Sequence, residues 1–167
     1  FGDDLRLFGK LEFNPIKDFK ITGEYTFNTT NANETLYRGS NRYISGVKFD
    51  VSPLNANTNY LRSNSQTNYH ALNVYANYEK HLANHNFNIL LGTNQEISKQ
   101  AGFNVNRLDV TTAQFPSIST STGTIGGDDS FNEFGISGYF GRFNYNYREK
   151  YLLEVNGRID GSSRFAS

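Results

Sequence analysis

From Leu5 to Phe13 the odd positions read Leu5, Leu7, Gly9, Leu11 and Phe13, and the even ones read Arg6, Phe8, Lys10 and Glu12. This alternation has period 2, so it puts one residue class on each face of an extended strand. Asn14, Pro15, Ile16 and Lys17 then supply turn chemistry, because Pro fixes φ and Asn tolerates tight backbone conformations. A second alternation follows, with Phe19, Ile21, Gly23, Tyr25 and Phe27 against Lys20, Thr22, Glu24, Thr26 and Asn28. Folding about position 16 opposes Phe13 to Phe19, Leu11 to Ile21, Gly9 to Gly23, Leu7 to Tyr25 and Leu5 to Phe27. On the other face it opposes Glu12 to Lys20. Like meets like on one face and opposite charges meet on the other, which is what fixes register in an antiparallel pair.

The pattern recurs twice. Leu72, Val74, Ala76 and Tyr78 answer Phe87, Ile89, Leu91 and Thr93 across the polar segment 80–86. Asn73, Tyr75, Asn77, Glu79, Asn88, Asn94 and Glu96 form the opposite face, with Leu90 as an exception. Folding about Glu149 then opposes Tyr147 to Tyr151, Tyr145 to Leu153, Phe143 to Val155, Gly141 to Gly157 and Tyr139 to Ile159. The reverse face sets Arg142, Asn144 and Asn146 against Asn156, Glu154 and Leu152, and continues to Arg158 and Asp160. The pattern predicts six strands and no helix. Connections at 14–17, 80–86 and 148–150 are short, whereas those near 29–66 and 98–133 are long and rich in Asn, Ser, Thr and Gly. Within the first long one, Tyr43, Val47, Phe49 and Val51 predict an extra strand that Pro53 would end.

Length and composition narrow what such a sheet can be. At 167 residues the chain is expected to be one domain or part of one, and the absence of Met at position 1 is read as a processed or excerpted chain. No cysteine is present, which excludes disulfides, zinc ribbons and thiol catalysis. Sixteen basic residues balance sixteen acidic ones, so no global field favours nucleic acid or an anionic surface. Apolar runs of two or three residues fall far short of the roughly 20 of a transmembrane helix, but a barrel strand needs only about 9 to 11 alternating ones. Two all-β architectures remain. One is an up-and-down antiparallel arc of a large transmembrane β-barrel, with short turns at one rim and long loops at the other. The other is a soluble β-sandwich whose apolar faces meet in a core, as in a carbohydrate-binding or adhesin module. Tyr145, Tyr147 and Tyr151 at the short-turn rim suit the interfacial aromatic girdle of a barrel, as does an Asn- and charge-rich opposite face.

Catalytic and metal chemistry find little support. His81 and His85 stand four apart but bracket a turn, and His70 is read as lying at the outer end of a strand. No metal site, cofactor site or catalytic residue is assigned. Asp128 and Asp129 after Gly126 and Gly127 lack EF-hand spacing and read as a flexible acidic loop. Glu154 and Asp160 share a face, but six residues of strand separate them by about 20 Å, beyond the roughly 5 to 9.5 Å of paired glycosidase carboxylates. Arg142, Asn144, Glu154, Asn156, Arg158 and Asp160 are the candidate lumen residues, either contacting substrate or plug or forming a solvated ion-pair ladder.

The stretch from Tyr139 to Phe165 carries Tyr139-Phe140-Gly141-Arg142, Asn146-Tyr147, Lys150-Tyr151-Leu152-Leu153 and Asp160-Gly161-Ser162-Ser163-Arg164-Phe165. It closely resembles a barrel hairpin of the SusC/RagA-type TonB-dependent outer-membrane transporters of Bacteroidetes. Asn77-Tyr78-Glu79-Lys80, His85-Asn86-Phe87 and Leu91-Gly92 resemble the preceding hairpin, and Glu12-Phe13-Asn14-Pro15-Ile16-Lys17 resembles a family turn more loosely. The resemblance implies about six strands out of a barrel of about 22, with signal peptide and plug outside this chain and the long loops on the extracellular side. It further implies import of a bulky nutrient, oligosaccharide or peptide, without enzymatic activity. The implied partners are a SusD-like surface lipoprotein, the TonB complex acting through other parts of the protein, and outer-membrane lipid.

Overall fold

The computed structural model describes residues 2–40, 42–45, 48–51 and 58–164. Eight strands run in chain order: β1 (Gly2–Ile16), β2 (Phe19–Arg38), β3 (Arg42–Ser45), β4 (Lys48–Val51), β5 (Asn59–Leu82), β6 (His85–Leu108), β7 (Ile125–Tyr147) and β8 (Tyr151–Ser162). Six of them form one open sheet in the order β1-β2-β5-β6-β7-β8, and β3 pairs with β4 in a separate two-stranded sheet. No helix occurs among the described residues.

The last hairpin folds in the register that its sequence predicts. Tyr147 faces Tyr151, Tyr145 faces Leu153, Phe143 faces Val155, Gly141 faces Gly157 and Tyr139 faces Ile159, with Arg142 opposite Asn156 and Asn144 opposite Glu154. In the first hairpin, Lys20 Nζ lies 3.8 Å from Glu12 Oε1, but the chain turns at Lys17–Asp18 rather than about position 16, and β1 continues through Asn14 and Pro15. The middle hairpin likewise tightens from 80–86 to a turn at 83–84. These turns hold non-glycine residues in the left-handed region, with φ of 67° at Asp18, 52° at Ala83, 53° at Arg148 and 58° at Glu149.

Three further expectations are corrected. The segment 43–51 is two strands rather than one, with Arg42 opposite Val51 and Ser45 opposite Lys48; Val47 and Pro53 lie outside the described residues. The strands also run far into what reads as loop, so that the connections between sheet strands shrink to 39–58 and 109–124. Asn is depleted in strands because it packs poorly on a pleated surface. Here cross-strand side-chain bonds replace packing, as where Asn64 donates to Asn31 at 2.8 Å and to Asn33 at 2.9 Å. Asp128 and Asp129 consequently lie in β7 rather than in a loop, and His70 lies within β5 rather than at its end.

The chain divides into two compact units. One comprises Phe1–Asp3, Thr30–Gln66 and Gln100–Asn132, and the other comprises Asp4–Thr29, Thr67–Lys99 and Glu133–Ser167. Within the second unit, Ala71 is the sole buried apolar side chain among the described residues, and Thr22 and Asn94 are buried polar ones. Leu11 is 81% and Ile159 78% exposed, and Leu72, Val74, Leu91, Leu153 and Val155 are exposed as well; Ile21 and Phe143 are half-buried by their neighbours in the sheet. Among the described residues no second layer covers this apolar face, which is the arrangement of an open all-β sheet with one apolar face rather than of a sandwich.

Glycines test this packing. A Cβ on Gly92 would lie 2.5 Å from the Phe140 ring and 2.7 Å from Tyr75 Cβ, whereas one on Gly157 would meet nothing within 4 Å. In the full-length polypeptide, Gly92→Val is expected to cost about 1–3 kcal/mol through overpacking, and Gly157→Ala less than about 0.5 kcal/mol. Ala83→Gly should stabilise by about 1 kcal/mol by relieving its positive φ. Urea unfolding midpoints in detergent measure all three.

Candidate functional site

The sheet's polar face is built from the even positions of β1, β2, β6, β7 and β8 and the odd positions of β5. In β1 and β2 it begins with a charge ladder. Lys10 Nζ lies 3.0 Å from Glu12 and 3.8 Å from Glu24, and Lys20 reaches back to Glu12. Tyrosines from β5 extend the network to their neighbours, Tyr75 donating to Glu24 Oε1 at 3.1 Å and Tyr69 to Glu96 Oε2 at 2.9 Å. Amides fill the intervals. Asn94 Nδ2 donates to Asn73 Oδ1 at 2.7 Å, and Asn77 and Asn88 both donate to Glu79 Oε1 at 2.9 Å. The side-chain oxygens of Asn28, Asn94 and Asn144 are buried with no hydrogen-bond partner among the described atoms.

All six sequence-predicted residues lie on this face, on β7 and β8. They do not converge on one point. Arg158 Nε donates to both carboxylate oxygens of Asp160, at 2.7 and 2.9 Å, and Asn156 Nδ2 donates to Glu154 Oε1 at 2.6 Å. The Asp160 carboxylate lies across Gly138, where a Cβ would collide with it. Arg142 is exposed and lines a groove with Glu24, Asn73, Tyr75, Leu90, Phe140, Asn156 and Arg158. A neighbouring groove brings Asn144 and Glu154 beside Glu79, His81, Asn86, Asn88 and Leu152. The cluster is therefore part ion-pair ladder, at Arg158 and Asp160, and part open surface, at Arg142.

Reading the sequence strand by strand misses the apolar strip of this face, formed by Tyr75, Leu90 and Phe140. Leu90 is visible as a break in the alternation. Phe140 is not, because its significance comes from crossing to β6, where Gly92 makes room for its ring.

The opposite face ends in an aromatic cluster at the short-turn rim. His85 Nδ1 is 2.7 Å from Tyr145 Oη, and its ring lies 4.8 Å from that of Tyr147. Phe87 lies 5.0 Å from Tyr145, Tyr147 lies 6.3 Å from Tyr151, and Phe19 lies 6.4 Å from Tyr78. Eight residues further along β2, Phe27 lies 5.0 Å from His70, which is bonded to Tyr25 Oη at 2.7 Å. His81 is on the polar face and bonds Asn86, so it and His85 point to opposite sides of the sheet and cannot share an ion. Among the described residues no three metal-ligating side chains cluster.

Tyr75→Phe removes one neutral-to-charged hydrogen bond and leaves the ring in place. It is expected to cost about 1.5–3 kcal/mol in the urea midpoint of the full-length polypeptide, with Gly92→Val partly masking the effect because both changes act on the Tyr75 ring.

No family model matches the chain. It is 31% identical over 94 residues to TonB-dependent receptor P3 of Formosa agariphila, across 55% of this chain and 9% of that protein. Over 36 residues it is 53% identical to TonB-dependent receptor P26 of the same organism, across 22% of this chain and 4% of that protein. In structure it is similar to the RagAB peptide transporter, with a TM-score of 0.87 at 16% identity, covering 99% of this chain and 18% of that one. The closed-closed state of the RagAB peptide importer gives the same TM-score. The chain thus spans less than a fifth of these proteins. The fold is similar to a segment of the RagA-type transporter barrel, and the sequence is similar to parts of TonB-dependent receptors.

Proposed function

We propose that this chain forms part of the wall of an outer-membrane barrel through which a bulky nutrient, oligosaccharide or peptide, is imported with energy from the TonB complex. The observation that carries the reading is the uncovered apolar face of the sheet, bounded by two aromatic levels. Phe19 and Tyr78 mark one level, and Phe27 and His70 mark the other. Eight residues of strand, tilted as in barrels, separate levels by about 20 Å, close to the roughly 25 Å apolar band of outer-membrane proteins. That spacing leaves lipid as the medium for Ile21, Leu72, Val74 and Leu91.

The polar face then lines the lumen. Arg142, Asn144, Glu154, Asn156, Arg158 and Asp160 are its proposed contacts with substrate or plug, with Arg142 the freest to engage either. The connections 39–58 and 109–124 lie on the extracellular side, where a SusD-like lipoprotein presents the substrate.

Growth of a deletion strain on defined peptides and glycans tests the reading, and loss of growth on one class identifies the cargo; unimpaired growth on every bulky nutrient would sink it. Val74→Arg in the full-length protein should cost about 2–4 kcal/mol, as for a cation facing the bilayer midplane. Asn73→Arg, one residue away on the lumen face, should cost much less. Arg142→Glu is expected to slow uptake severalfold at unchanged surface abundance, measured with labelled cargo on whole cells.

A further inference from the structure

Along the polar face, β7 and β8 set large or polar side chains against one another, and one position breaks the row. Gly138 stands opposite Asp160, whereas Phe140 stands opposite Arg158 and Arg142 opposite Asn156. The Asp160 carboxylate uses the opening. It lies in the space that a Cβ on Gly138 would take, so the two cannot coexist. From there both of its oxygens accept from Arg158 Nε, at 2.7 and 2.9 Å. The strand beneath is pinned, because Thr93 Oγ1 of β6 donates to the Gly138 carbonyl at 3.0 Å. A side chain at position 138 would therefore turn the short Asp160 side chain away rather than shift the backbone.

Arg158 and Arg142 line the same groove, with Tyr75, Leu90 and Phe140 between β5 and β7. Arg142 is exposed, and Arg158 is paired. The groove thus offers one guanidinium to an anionic group and keeps a second one neutralised. A guanidinium is a planar fork of donors matched to a carboxylate, so one free fork or two decides how strongly this wall holds an anion. What sets the number is the room above Gly138.

We propose that Gly138 is a positioning residue: by leaving space for the Asp160 carboxylate it keeps Arg158 withheld, and so limits the affinity of this wall for anionic groups. The aqueous setting of the groove rests on the reading above, in which this face lines the lumen.

The test measures how fast phenylglyoxal, a guanidinium reagent supplied from water, modifies Arg158 and Arg142 in the full-length protein in native outer membranes, with each site read by mass spectrometry of its peptide. Gly138→Ala should speed modification of Arg158 about threefold, the scale of an exposed ion pair, and leave Arg142 at its wild-type rate. Asp160→Asn should have the same effect, and the double variant should go no further, because both changes remove one bond. Gly157→Ala, whose Cβ meets nothing within 4 Å, should leave Arg158 protected. If Arg142 reacts but Arg158 is modified no faster in Gly138→Ala, or the double variant clearly exceeds Asp160→Asn, the role of Gly138 is refuted and the lumen reading stands. Should Gly138→Ala fail to assemble, Asp160→Gly in that background removes the collision and is expected to restore heat-modifiable migration; failure to restore it also refutes the role. If neither arginine reacts in any variant, the face is not aqueous, and the lumen reading and the proposal fall together.

Discussion

The antiparallel ladder is the constraint on which everything else in this chain depends. A fold without an apolar core cannot draw its order from packing, and among the described residues only Ala71 is a buried apolar side chain. What remains is the obligation of every backbone N–H and C=O to find a partner. Six strands in sequential neighbourhood, each joined to the next in the sheet, meet that obligation everywhere except at β1 and β8, the two edges. The edges carry the most exposed apolar residues, Leu11, Leu152 and Ile159. In a barrel those edges are closed by further strands.

Register then decides function, because a slip of one residue would exchange the two faces. Opposing Arg142 to Asn156 puts Phe143 and Val155 together on the reverse side. The polar face reinforces this choice with bonds that span strands, such as Tyr75 to Glu24 and Asn94 to Asn73. Exposed ion pairs such as Lys10 with Glu12 add little by themselves, since water screens them. Tyrosine is the more effective binder, because its ring packs on the wall while its hydroxyl reaches a carboxylate one strand away.

Period 2 made the strands, their faces and the last register legible before any coordinates, because each is a local property of alternating residues. Strand ends were less legible. Asn31, Asn33 and Asn64 read as loop residues, yet they continue β2 and β5 because they bond one another across the strands, and such pairing is a property of register. Pro15 likewise signals a turn in isolation but lies within β1. The candidate site was legible as a face and not as a set of contacts. Arg142 and Arg158 look equivalent in sequence, but Arg158 is engaged by Asp160, and the strip of Tyr75, Leu90 and Phe140 exists only because Gly92 leaves room for a ring from another strand.

Strand length carries one more step. β5, β6 and β7 have 24, 24 and 23 residues, about twice the 9 to 11 that a bilayer needs. On β5 the apolar face changes character along the strand, from Tyr78, Ala76, Val74 and Leu72 to His70, Asn68, Gln66 and Asn64. On β6 and β7 the corresponding change is an ion pair, Lys99 with Glu133 at 3.0 Å. An ion pair and an amide ladder on the outward face are compatible with water or headgroups and not with acyl chains. Paired ladders of this kind account for so much Asn-rich sequence lying in strand, because each amide finds a partner across the sheet that a loop would not supply.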